Sequence, residues 1–114
     1  MKLDVSEVGS ELLVRVLDDR IDAAAAVQFR DAMRSATEGG QMRVVLDLSR
    51  VSFVDSSGLG AIISAMKTLG GNRSLDLAGL QPAVAKVFRL TRLDEIVKIH
   101  ADSSAAFGGH AHAG

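Results

Sequence analysis

The 114 residues contain no cysteine, which excludes a disulfide scaffold, thiol catalysis and thiolate metal sites. Tryptophan and tyrosine are also absent and phenylalanine occurs four times, too few aromatics for base or sugar stacking platforms. Neither charge sign dominates. Thirteen Lys and Arg against fourteen Asp and Glu leave a net charge of −1, so no basic surplus is available to grip nucleic acid or an anionic membrane. No apolar run approaches the roughly 20 residues that span a bilayer. The start Met1-Lys2-Leu3-Asp4 lacks the apolar stretch of a signal peptide. The expectation is a soluble, cytoplasmic protein with no nucleic acid and no membrane among its partners.

What is present is an aliphatic globular composition, 47% hydrophobic and 24% charged, sized for one core and one domain. Leu3, Val5 and Val8 precede Gly9-Ser10, and Leu12, Val14 and Val16 alternate after it, the pattern of a tight antiparallel hairpin. Asp18-Asp19-Arg20 breaks the alternation. Asp22 is placed to cap a helix over Ala23 to Ala36, with Phe29, Met33 and Ala36 on one stripe and Gly39-Gly40 beyond it. Arg43 to Ser49 carries the nearly continuous Val44, Val45, Leu46 and Leu48 of a strand buried on both faces. Leu59, Ile62, Ile63, Met66 and Leu69 recur at helical spacing up to Gly70-Gly71. Leu75 and Leu77 predict a short strand, Pro82 starts a helix with Val84, Val87 and Phe88 buried, and Ile96 to Ile99 predicts a last strand.

The order is β-β-α-β-α-β-α-β: an α/β fold with a single mixed β-sheet, helices packed against it. The domain is expected over residues 1–100. Residues 101–114 form a short C-terminal segment that begins as one helical turn and frays toward its end.

Between the buried strand and the second helix lies Val54-Asp55-Ser56-Ser57-Gly58-Leu59-Gly60. A hydroxyl here stands at a helix N-terminus, where free backbone N–H groups and the positive dipole end favour an anion. Capping alone could account for Asp55-Ser56-Ser57. Two details argue for more. Gly58 and Gly60 fall in or near the first turn, where glycine costs about 1 kcal/mol relative to alanine but lets another molecule approach the backbone closely. One serine, moreover, suffices as a cap.

The stretch Val44 to Gly60, with its Asp-Ser-Ser-Gly-Leu-Gly motif, resembles the STAS domains of bacterial anti-anti-sigma factors, also called anti-sigma factor antagonists. Similarity extends over nearly the whole chain, through Arg20-Ile21-Asp22, Pro82-Ala83-Val84 and Phe88 to Leu93. The resemblance implies partner switching. The chain would bind a GHKL-type serine kinase that is also an anti-sigma factor, releasing sigma. That kinase would phosphorylate Ser56, and a PP2C-like phosphatase would restore the active form. A phosphate adds about −1.5 to −2 charges at neutral pH, which repels a surface built for a neutral hydroxyl. Ser56 is then an acceptor, not a catalyst.

The same resemblance assigns partner binding to Asp22, Asp55, Ser56, Ser57, Gly58, Leu59 and Gly60. Four of them have a plainer alternative. Asp22 and Asp55 can act as caps, Ser57 is expected to cap the second helix, and Leu59 can be core. The family commonly has Gly-x-Leu-Asp where this chain has Asp19-Arg20-Ile21-Asp22, so the turn or the partner differs there. The other reading is a STAS subunit of a lipid-transport ABC complex, a constitutive dock.

Enzyme activity is not expected. Gly-x-Ser-x-Gly is absent, and the histidines His100, His110 and His112 all lie far along the chain. His100 is expected at a strand end facing water. His110-Ala111-His112 lacks acidic companions for a metal site. No Walker-type lysine follows the glycines, so no nucleotide or other cofactor is expected. The isolated chain is expected to be a monomer or weak dimer.

Overall fold

In a computed structural model describing residues 1–108, strands β1 (Leu3–Val8) and β2 (Glu11–Val16) pair antiparallel, with Val8 opposite Glu11. Gly9 between them has φ 63°, the left-handed conformation that a Gly-X hairpin turn requires at its first position. Helix α1 (Ala23–Ala36) is built largely from helix formers and buries Ala26, Phe29 and Met33. Strand β4 (Arg43–Asp47) follows, and Val44, Val45 and Leu46 are fully buried. Helix α2 (Ser56–Leu69), strand β6 (Ser74–Ala78) and helix α3 (Pro82–Leu90), with proline in its first turn, complete the repeating units.

The main sheet runs β1-β2-β4-β6-β7, where β7 is the two-residue strand Ile99–His100. All pairings after the hairpin are parallel, so each return passes through a helix. Register sets the layers. Val14 lies beside Leu46, Leu46 beside Leu77 and Leu77 beside Ile99. This aliphatic row, with Leu12, Val44 and Leu75 in the next, forms one core with Phe29, Ile62, Ala65, Val84 and Phe88 of the helices. The expected α/β architecture with one mixed sheet is therefore present.

Three details depart from expectation. Two very short strands, β3 (Arg20–Ile21) and β5 (Phe53–Val54), form a separate parallel ladder just ahead of α1 and α2. The last strand is Ile99–His100 instead of Ile96 to Ile99. Residues Leu93–Glu95 form a 3₁₀ turn, entered through Arg92 at φ 62°, and Ile96 faces outward at 67% exposure. The chain thus needs a helical turn to reach the sheet edge. Only then does it pair with β6.

His100 is the third correction. It does not face water but joins a charged cluster on the sheet face opposite the three helices. Arg43 donates to Glu11 at 3.0 Å and to Asp76 at 3.0 and 3.2 Å, while His100 Nε2 lies 2.9 Å from Asp76 Oδ2. A fourth, four-residue helix, α4 (Ser103–Ala106), closes over this cluster. The Ala106 carbonyl accepts from Arg43, and the Phe107 ring lies under the Arg43 guanidinium. Beside them Val45, Ala78 and Ala106 make a small second core with Leu13 and Phe107. The first turn expected after Ala101 is this helix; His110 and His112 lie outside the described residues.

Asp76 keeps only 10% of its side-chain surface exposed, so its carboxylate is contacted by Arg43 and His100 in place of most of its water. Removing one partner of a buried pair is costly. Arg43→Met is expected to lower the unfolding free energy by about 3 kcal/mol, measured by urea denaturation. A wild-type-like midpoint would contradict this role.

Candidate functional site

The ends of β3 and β5 deliver two aspartates side by side to two helix starts. Asp22, extended at ψ −172°, caps α1: its carboxylate accepts from the Ala25 N–H at 3.2 Å. Asp55, extended at ψ −174°, caps α2 by accepting from the Gly58 N–H at 2.9 Å. The second oxygen of Asp55 accepts from the Ala23 N–H at 3.1 Å. One carboxylate thus holds the N-termini of both helices. Each such cap contributes about 1 kcal/mol, and here the two share a side chain.

Glycine at 58 is explained by the same junction. A β-carbon on Gly58 would stand 1.8 Å from the Ile21 carbonyl oxygen. The close approach expected at this glycine is therefore made within the chain, by β3, and Gly58 itself is buried. Gly60 differs. It is exposed, with nothing within 4 Å of its would-be β-carbon. Leu59 is partly buried and packs against the main core.

Ser57 does not cap α2, contrary to expectation. Asp55 precedes both serines and occupies the capping position, so Ser56 and Ser57 are the first two residues of the helix. Both are exposed. Neither hydroxyl has a hydrogen-bond partner among the described residues, and the backbone N–H groups of Ser56 and Ser57 have no acceptor among them either, whereas Leu59 N–H already donates to the Asp55 carbonyl. The result is a hydroxyl presented to solvent at the positive end of a 14-residue helix.

Around this point the junction presents further chemistry that sequence reasoning missed. Arg20 and Phe53 are cross-strand neighbours in the β3–β5 ladder, and the Arg20 guanidinium lies over the Phe53 ring at 4.3 Å. Its Nε also donates to Asp22 at 3.3 Å. The signal was a period-two one: Ile21 and Val54 are buried while their neighbours Arg20 and Phe53 are exposed. Two residues are too few to reveal it. The site thus brings together Asp22, Asp55, Ser56, Ser57 and Gly58, packs Leu59 partly against the core and leaves Gly60 on the surface. His100, in the cluster with Asp76, takes no part in it.

Comparison with known proteins gives a consistent answer. The family model described as STAS domain matches residues 2–106. The anti-sigma-B factor antagonist of Listeria monocytogenes is 30% identical over 102 residues, covering 87% of this chain and 88% of that protein. A STAS-domain containing protein of Pseudomonas aeruginosa is 32% identical over 92 residues, covering 80% and 89% respectively. A crystal structure of an anti-sigma factor antagonist from Mycobacterium paratuberculosis superposes with a TM-score of 0.85 at 23% identity, covering 95% of this chain and 92% of that one. Among the described residues, no helix is long and apolar enough to cross a membrane.

The two glycines separate tight packing from free surface. Gly58→Ala is expected to destabilise by about 2 kcal/mol or more, because backbone of β3 must shift. Gly60→Ala should stabilise by up to about 1 kcal/mol through helix propensity. Thermal unfolding of the two variants beside wild type checks both signs. For Asp55→Ala, which uncaps α2 and removes the acceptor of the Ala23 N–H at the start of α1, a loss of about 2 kcal/mol is expected in the same measurement.

Proposed function

The chain belongs to the STAS domain family, and on that premise we propose that it is an anti-sigma factor antagonist switched by phosphorylation of Ser56. In this reading the unmodified chain binds a GHKL-type serine kinase that doubles as an anti-sigma factor, and sigma is released. Phosphorylation ends the binding and a PP2C-like phosphatase restores it. The observation that carries the reading is the Ser56 hydroxyl: exposed, unbonded among the described residues, and first in α2.

That position supports a switch for a physical reason. Asp55 does the capping, so Ser56 is free of structural duty and can gain a phosphate without loss of a hydrogen bond. The new dianion meets the positive end of α2 and its available N–H groups, so the fold tolerates it. A partner surface shaped for a neutral hydroxyl does not. Loss of about 3 kcal/mol at such a contact lowers affinity more than a hundredfold. No base is hydrogen-bonded to the Ser56 hydroxyl among the described residues, the Asp55 carboxylate being engaged with the Gly58 and Ala23 N–H groups, which favours acceptor over nucleophile.

Asp22, Asp55, Ser57, Leu59 and Gly60 frame the docking surface in this reading, with Gly58 acting from beneath by seating α2 against β3. The chain acts in the cytoplasm, where the kinase and sigma factor reside.

The test uses the kinase with ATP. Mass spectrometry is expected to locate one phosphate at Ser56, and Ser56→Ala should remain unmodified. Ser56→Asp should bind the kinase at least about a hundredfold more weakly than wild type while unfolding at an unchanged temperature. Equal affinity would instead mark a constitutive dock, and the switch would be rejected.

A further inference from the structure

We propose that Arg20, braced on Phe53, is the anchor by which this chain selects its partner, and that it receives a carboxylate of the anti-sigma factor. The inference rests on the proposed function and adds the chemistry of the partner's surface.

The β3–β5 ladder turns Ile21 and Val54 into the core and Arg20 and Phe53 outward. Phe53 remains 40% exposed and the Arg20 side chain 55% exposed, so stacked apolar and cationic surface stands on the rim of the serine site. Arg20 is held in place from two directions. The Phe53 ring supports the guanidinium plane at 4.3 Å and the Asp22 carboxylate accepts from Nε at 3.3 Å. Its two terminal nitrogens have no acceptor among the described residues. They form the outward edge of a rigid fork, the arrangement that takes a carboxylate through two parallel hydrogen bonds.

Immobilising an arginine before binding removes part of the entropy cost of docking, and arginine and aromatic side chains are the usual energetic anchors of interfaces. Continuity with the serine site comes through the caps. Asp22 joins Arg20 to the start of α1, and Asp55 joins the start of α1 to that of α2, where Ser56 begins. A partner covering Ser56 therefore reaches this rim. An acidic group on that partner also accounts for the sign of the switch. It is attracted to Arg20 while Ser56 is neutral and repelled once a phosphate stands beside it. A basic partner surface would respond in the opposite sense.

The experiment measures binding of the full chain to the purified kinase by calorimetry, together with steady-state phosphorylation. Arg20→Gln is expected to weaken binding about 10- to 100-fold and to raise KM for the chain as substrate without lowering kcat. Arg20→Lys should recover only part of the loss, because a point charge cannot make the paired contact. Arg20→Glu should abolish binding, and reversing one acidic residue on the kinase to arginine should restore it. Unfolding temperatures of the variants should match wild type.

Binding unchanged in Arg20→Glu, while Ser56→Asp still abolishes it, would overturn this inference and leave the switch intact. So would a loss in Arg20→Gln that no charge reversal on the kinase repairs in Arg20→Glu. An effect of Arg20→Gln confined to the phosphorylated chain would point to an internal phosphate clamp and likewise overturn it. Failure of the wild-type chain to bind or be phosphorylated would overturn the functional reading, and this inference with it.

Discussion

A single carboxylate, that of Asp55, fixes the geometry on which the rest depends. By accepting from Gly58 at the head of α2 and Ala23 at the head of α1, it fastens the two helices at their positive ends. Capping groups usually serve one helix. Shared capping sets the relative position of both starts, and with it the surface between them. Gly58 makes the arrangement possible, since any side chain there would collide with Ile21. The serine hydroxyl is left without a hydrogen-bonding duty among the described residues.

Sequence patterns revealed most of the scaffold because its main elements have local causes. Gly9 marks the hairpin, Asp22 and Pro82 open helices where they are found, and the Val44–Leu46 run is buried on both sides as its composition demands. The exceptions were set by distant groups. Ladders of two residues leave no periodicity, so β3 and β5 could be seen only once their burial was known. The last strand shrank because a 3₁₀ turn at Leu93–Glu95 carries the chain to the edge of β6. Serine and aspartate both cap helices, and only the backbone path decided that Asp55 takes the position. The loop itself was legible, but the duties of its residues were not. Gly58 was read as room for a partner when it is room for β3.

The two faces of the sheet are built on different physics. Toward α1, α2 and α3 the contacts are apolar and nondirectional. On the far face, Arg15 meets the nearly buried Asp47 at 3.3 Å, and Arg43 gathers Glu11, Asp76 and His100. Charges so placed stabilise only when their partners arrive together. The candidate site lies at the strand ends, where Ile21 and Val54 reach the apolar core while Arg20, Phe53, Ser56 and Ser57 face solvent.

The Arg43 cluster also bears on how the chain assembles. Its contacts lie 32 residues back to Glu11, 33 forward to Asp76 and 63 forward to Ala106, so no nearby hairpin or helix can satisfy that guanidinium. Long loops must close before it loses its water, and such closures slow folding. During synthesis, a nascent chain whose first four strands have been made still lacks Asp76 and Ala106, so its back face stays hydrated until α4 is available to cover it.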